Sequence, residues 1–179
     1  MSCRVLLSLA LLALAAPGSG AEANSTSPDA VSLQQQPGDL LAGHRRAVAY
    51  SGFRSGQHPD RGEGAVNPSD REILEDLRIL GRQTDFKLIR LYDAQVNSEA
   101  VLRLIATHKL QIQVLLGAWL DAEVSNPNCP WHPEPYPADV LARNKLQNVA
   151  EVERAIRLAN QYPNIVVAVA VGNEALVDW

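Results

Sequence analysis

Cysteine is scarce: Cys3 and Cys129 are the two in 179 residues, which excludes a disulfide-stapled scaffold. Basic runs are missing as well. None is longer than Arg45-Arg46, and the formal net charge is −4. The chain therefore has neither a polybasic membrane patch nor the clustered positive face that nucleic-acid binders need. Aromatic residues make up only 5%. No G-x-G-x-x-G or G-x-x-x-x-G-K-[ST] string occurs, so there is no phosphate-cradling turn to support a nucleotide fold. No G-x-S-x-G occurs, so the nucleophile elbow of a serine hydrolase is absent. His44, His58, His108 and His132 show no ligand spacing, and neither a metal nor another cofactor is expected.

What is present begins with an address. Arg4 precedes a run from Val5 to Ala16 of almost pure Leu, Ala and Val. A membrane-spanning helix needs roughly 20 apolar residues, so this run is short for a span. Pro17, Gly18 and Gly20 follow, and Ser19-Gly20-Ala21 or Ala21-Glu22-Ala23 offers small residues at a cleavage site. This is the layout of a secretory signal peptide, assigned to residues 1–23, and it predicts a secreted protein, periplasmic or extracellular, with no stable membrane insertion after cleavage. Once the signal is removed, Cys129 is the only thiol, set in a proline loop without a nearby base. Residues 24–44 are rich in Ser, Gln, Pro and Gly and bury too little to offset their ordering entropy, so they read as a flexible leader.

Residues 45–179 alternate between strand and helix patterns. Ala47 to Tyr50 is a first strand, followed by a long polar loop to Asn67. Pro68 stands at a helix start, and Ser69 with Glu72 makes a capping box. Ile73, Leu74, Leu77 and Leu80 share one face, and Gly81 is placed to close that helix. Lys87 to Asp93 is a second strand. Asn97 or Ser98 caps a helix carrying Val101, Leu104 and Ile105, and Ile112 to Leu116 is a third strand ending at Gly117. Five prolines between Asn126 and Pro137 force a loop. Asn148 and Glu151 read as the cap of a helix with Val152, Ala155, Ile156 and Ala159 on its stripe. Tyr162-Pro163-Asn164 stops it, and Ile165 to Val171 is a continuous apolar run of the kind buried on both faces.

This β-α-β-α-β-α-β order implies parallel strands joined by right-handed crossovers. Either a doubly wound sheet or part of a (β/α)8 barrel satisfies it. In both, ligands bind beyond the carboxyl ends of the strands. There the sequence puts Tyr50, Arg90, Tyr92-Asp93, Trp119 with Asp121 and Glu123, and Gly172-Asn173-Glu174. Aromatic faces suit sugar rings, and Asp, Asn and Arg suit vicinal hydroxyls. A carboxyl at the end of a dry strand suits a general acid. Plainer roles are open for each: an Arg90–Asp93 ion pair, rim packing for Tyr50 and Tyr92, loop anchoring for Trp119 and Trp131.

The strand ends also carry a resemblance. Ala49-Tyr50-Ser51-Gly52, Ile89-Arg90-Leu91-Tyr92-Asp93, Val114-Leu115-Leu116-Gly117 and Val171-Gly172-Asn173-Glu174 resemble, in order and spacing, the first four strands of the family 17 glycoside hydrolases, the β-1,3-glucanase group. The string Gly172 to Trp179, with the proline loop before it, resembles the bacterial secreted branch. The resemblance implies an α/β chain that is a partial (β/α)8 TIM barrel, its first four β/α units. It implies a retaining two-carboxylate hydrolase of β-glucan polysaccharide or oligosaccharide, with Glu174 as acid/base and Asn173 on the sugar 2-hydroxyl. Tyr50, Arg90, Tyr92, Asp93 and Trp119 would contact substrate. A complete barrel takes about 250 residues, and the family's nucleophilic Glu ends the seventh strand. Residues 45–179 thus read as an N-terminal half-barrel with no nucleophile of its own, from a truncated product or an incomplete record. Asp121 and Glu123 sit in a loop and are poor substitutes. A glucanosyltransferase and a non-catalytic carbohydrate-binding remnant are the alternatives.

The address can be tested first. Export from a secreting bacterial host should give a mature N-terminus between about Glu22 and Asn24 by Edman sequencing. A membrane-bound product still beginning at Met1 would contradict it.

Overall fold

The computed structural model describes residues 46–60, 63–129 and 132–173. The signal and leader segments, Trp131, Glu174 and Trp179 lie outside the described residues. Seven elements follow in order: β1 (Arg46–Ala49), α1 (Asp70–Gln83), β2 (Phe86–Arg90), α2 (Val96–His108), β3 (Gln113–Ala118), α3 (Ala138–Gln161) and β4 (Val166–Val171). The four strands form one all-parallel sheet in the order β1-β2-β3-β4. Sequence neighbours are therefore spatial neighbours, with no reversal of strand order among them. Among the described residues, no helix is long and apolar enough to cross a membrane.

Strand register shows where the helices lie. Ile89 pairs with Val114, and these residues alternate along their strands with Leu91, Leu116 and Ala118. All five are buried, in one cluster with Ile73 and Leu77 of α1, Val101, Leu102, Leu104 and Ile105 of α2, and Ala155 and Leu158 of α3. All three helices thus cover the same face of the sheet. Burying each such Leu or Ile side chain stabilises the fold by roughly 1.5–3 kcal/mol. The opposite face carries Ala47 beside Leu88, then Ala49, Arg90, Leu115 and Ala168 in register, then Gly117 beside Ala170. Small side chains dominate it.

Local chemistry explains most element ends, and several depart from the sequence reading. Ser69 is the N-cap of α1, and the capping box is complete. Glu72 accepts from the Ser69 backbone N–H at 2.8 Å and from its hydroxyl at 2.7 Å. These two bonds, with a third from Gln57, hold the carboxyl down at about 2. Pro68 precedes the cap instead of opening the helix. Gly81 does not close it either: α1 runs on to Gln83, and Thr84 Oγ1 then donates to the Leu80 carbonyl. The N-cap of α2 is Gln95, with no side-chain cap bond. Asn97 and Ser98 lie inside the helix and spend their side chains on the strand-end loops. The largest correction concerns α3, which begins ten residues before Asn148. Its buried stripe is Asn144, Asn148, Glu151, Ala155 and Leu158, whereas Ile156 is exposed. A polar half-stripe is invisible to a search for apolar periodicity.

Two strands also differ from expectation. The apolar run of β4 is not buried on both faces: Val169 and Val171 are 39% and 57% exposed. Among the described residues it has one neighbouring strand, β3. A run of valines reports burial potential, not the presence of a neighbour. β2 ends at Arg90 instead of Asp93 because its chain leaves the sheet. Leu91 N–H still reaches the Leu115 carbonyl at 3.0 Å, but Leu91–Tyr92 then fold over Gly117. A Cβ on residue 117 would stand 2.3 Å from the Tyr92 carbonyl carbon and oxygen.

Gly117→Ala should therefore cost about 1–3 kcal/mol by overpacking, read from denaturant midpoints. Gly81→Ala should stabilise by about 0.5–1 kcal/mol, because it is helical and its Cβ would meet Ile112 at an ordinary 3.6 Å. Equal effects at the two sites would contradict the close approach at Gly117.

Candidate functional site

The loops after β1, β2 and β3 meet in a cleft of about 610 Å³ at the carboxyl ends of the strands. It brings together Tyr50, Tyr92, Asp93, Trp119 and Asp121, five of the strand-end residues singled out from the sequence, with Asn97. One wall comes from the long loop after β1, folded on itself by a two-bond bridge between His58 and Val66.

Arg90 and Asn173 form a separate pair beside this cleft. Arg90 Nη2 donates to Asn173 Oδ1 at 2.7 Å, reaching from β2 across β3 to the residue two past β4. Its guanidinium carbon lies 4.7 Å from the Tyr92 ring centroid, a cation–π contact that ties the pair to the cleft wall. The Arg90–Asp93 ion pair does not form. Asp93 Oδ1 instead accepts from Gln95 N–H at 3.0 Å and from Ser98 Oγ at 2.7 Å, an Asx turn that starts α2.

Tyr50 lines the cleft, but its hydroxyl is committed elsewhere. It donates to Asp76 Oδ2 of α1 at 3.1 Å, and the other Asp76 oxygen accepts from Arg54 at 2.6 Å. The ring folds back over Gly52, whose φ of +74° admits the turn and whose missing Cβ leaves room for the hydroxyl. Burial first, then the facing Asp76 carboxylate, pushes the Tyr50 hydroxyl well above its ordinary pKa. Tyr50 thus lines the cleft with its hydroxyl turned to Asp76.

The residues that aim the loops were missed as such. Glu151 of α3 is 2% exposed, and its Oε1 accepts from Ala94 N–H at 2.6 Å and Trp119 N–H at 3.3 Å. Oε2 takes Arg154 at 2.6 Å. One helix turn earlier, Asn148 accepts from Asp121 N–H at 2.8 Å and donates to the Asp121 carbonyl and the Glu123 carboxylate, each at 2.9 Å. Asn144 donates to the Ala122 carbonyl at 2.9 Å. Together they hold the loop after β3 and leave the Trp119 ring 42% exposed, with its Nε1 directed at Asp121 Oδ1 at 3.3 Å. The signal in sequence was the spacing Asn144, Asn148, Glu151 at i, i+4 and i+7, a helix face made of polar groups.

Asn97 completes the rim: it donates to the Ser51 carbonyl at 2.6 Å, while its own Oδ1 is buried without a partner among the described residues. No group of three His, Cys, Asp or Glu with metal-binding geometry occurs among the described residues. Chemically, the site offers the Tyr92 and Trp119 rings, the Asp93 and Asp121 carboxylates and, beside them, an Arg90–Asn173 couple. No family model, curated protein or solved structure matches this chain.

The Tyr50 hydroxyl gives a pH signature. The native state keeps this proton to higher pH than the unfolded chain, which loses it near pH 10. The stability involved is present below about pH 10 and is lost as pH rises further. Denaturant melts between pH 8 and 11 should show the wild type losing more stability than Tyr50→Phe above about pH 10. Parallel curves would contradict both the burial of the hydroxyl and its contact with Asp76.

Proposed function

We propose that this chain forms the N-terminal half of a β-glucan hydrolase site on a partial (β/α)8 barrel. Sequential strand order with every helix on one face supports that architecture. A doubly wound sheet reverses its strand order and carries helices on both faces. The face away from the helices, with Ala47, Ala49, Ala168 and Ala170, is the one that would line the barrel.

The observation that carries the functional reading is the 2.7 Å bond from Arg90 to Asn173. It couples the second strand's Arg-Leu-Tyr-Asp to the Asn173 that follows the fourth, two of the four segments that together carry the resemblance. In this reading Glu174, next in sequence, protonates the leaving glycosidic oxygen and later deprotonates the acceptor. Asn173 holds the 2-hydroxyl, whose bond strengthens in the oxocarbenium-like transition state. Trp119 offers an apolar face to a sugar ring, and Asp93 and Tyr92 line the position beside the cleaved bond. The nucleophilic carboxylate, about 5–5.5 Å from the acid in a retaining site, would come from a later strand. With water as acceptor the outcome is hydrolysis; with a sugar it is transglycosylation.

The test combines binding with turnover. The 179-residue chain should bind laminarin-type oligosaccharides by calorimetry, lose most of that affinity in Trp119→Ala, and release no reducing ends. Supplied with strands five to eight, it should hydrolyse the glucan. There Glu174→Gln should cost about 10² to 10⁴ in rate, and less on a nitrophenyl glycoside, whose leaving group departs without a proton. Absence of glucan binding, or turnover by the short chain that survives Glu174→Gln, would overturn the reading.

A further inference from the structure

A second cleft of about 570 Å³ adjoins the first and shares Asp60, Gln95, Trp119 and Asp121 with it. Its other wall is α3, which presents Arg143, Gln147, Ala150 and Arg154. These stand at i, i+4, i+7 and i+11, so they form one stripe along the helix, next to the buried stripe that holds the loop after β3. From Arg143 to Arg154 the stripe spans about 16 Å at the helical rise, room for more than one hexose ring. Ala150, the smallest side chain of the stripe, keeps the middle of the trough open. Arg154 gives one nitrogen to Glu151 and has its Nε buried, so Arg143 and Gln147 are the exposed donors of the stripe. Opposite stand Asp121, one of whose carboxylate oxygens accepts from the Trp119 indole, and the half-exposed Trp119 ring.

We propose that this trough is a distal glycan subsite, which takes the continuation of a neutral polysaccharide chain past Trp119 and along α3. The inference rests on the glucan reading above and adds that the preferred ligand is a polymer segment, not a terminal disaccharide. Donors from the guanidinium and amide side chains on one wall and the Asp121 carboxylate on the other match a run of hydroxyls, which both accept and donate. An anionic ligand is a poorer match, because the carboxylates of Asp60 and Asp121 line the same trough. Trp119, common to both clefts, would carry the ring at the junction.

The experiment is calorimetric titration of the chain with laminaritriose and laminarihexaose, in the wild type and in two variants. Arg143→Ala/Gln147→Ala removes exposed donors, and Ala150→Leu raises the floor without removing any. The hexaose should bind at least about tenfold tighter than the triose, the effect of one or two added hydrogen bonds to charged groups. Both variants should reduce that advantage to about threefold or less and leave triose affinity unchanged. Equal triose and hexaose affinities in the wild type, or a length advantage that both variants keep, would overturn the distal subsite while leaving the glucan reading intact. No binding of either sugar would instead remove the glucan reading itself and the subsite with it.

Discussion

The carboxylate of Glu151 is the joint on which the carboxyl end of the sheet depends. It is buried beneath the loops, and its two oxygens accept the Ala94 and Trp119 N–H groups and the Arg154 guanidinium. One side chain of α3 thus fixes the loop after β2 against the loop after β3. A buried charge is tolerated only when its lone pairs are filled, and here the fillers are the backbone groups whose placement shapes the cleft. Asn148 and Asn144 extend the same device along the helix, bonding the main chain of Asp121 and Ala122 as a strand partner would. The loop after β3 therefore has defined geometry without regular secondary structure of its own.

A second constraint acts from the sheet side. The fold of Leu91–Tyr92 over Gly117 moves Tyr92 and Asp93 out of the ladder and toward the cleft, and only a residue without Cβ permits it. Arg90, the last residue of β2, then lies beneath the Tyr92 ring and reaches Asn173. The cation–π contact and the hydrogen bond link the second strand to the end of the fourth. Helix α3 positions the loops from one side, and this link positions the strand ends from the other. The cleft and the trough along α3 share Asp60, Gln95, Trp119 and Asp121.

The sequence exposed the rim but misread who serves it. Tyr92, Asp93 and Trp119 line the cleft as their positions after strands implied, and Tyr50 does so with its hydroxyl turned to Asp76. Asn148 and Glu151 look like a capping pair because Asn followed three residues later by Glu is a capping signature. The same spacing serves equally inside a longer helix, and the choice depends on whether residues 138–147 are helical. They have little apolar periodicity to announce it. Asp93 and Arg90 look like an ion pair because they are three apart near a strand end, yet alternation puts neighbouring strand positions on opposite faces and the chain bends between them.

By itself the sequence determined the order of elements, the parallel α/β class, the Ser69–Glu72 start of the first helix and the clustering of aromatic and carboxylate residues after strands. These are local or periodic properties, encoded in propensity, capping and spacing. The tertiary structure alone decided the sequential strand order with all helices on one face, the length of α3, the turn over Gly117 and the long-range bonds of Arg90, Tyr50, Asn144, Asn148 and Glu151. Each depends on which surfaces meet across tens of residues, such as the 83 that separate Arg90 from Asn173, and hydrophobic spacing along one segment holds no record of the partner that another segment will supply.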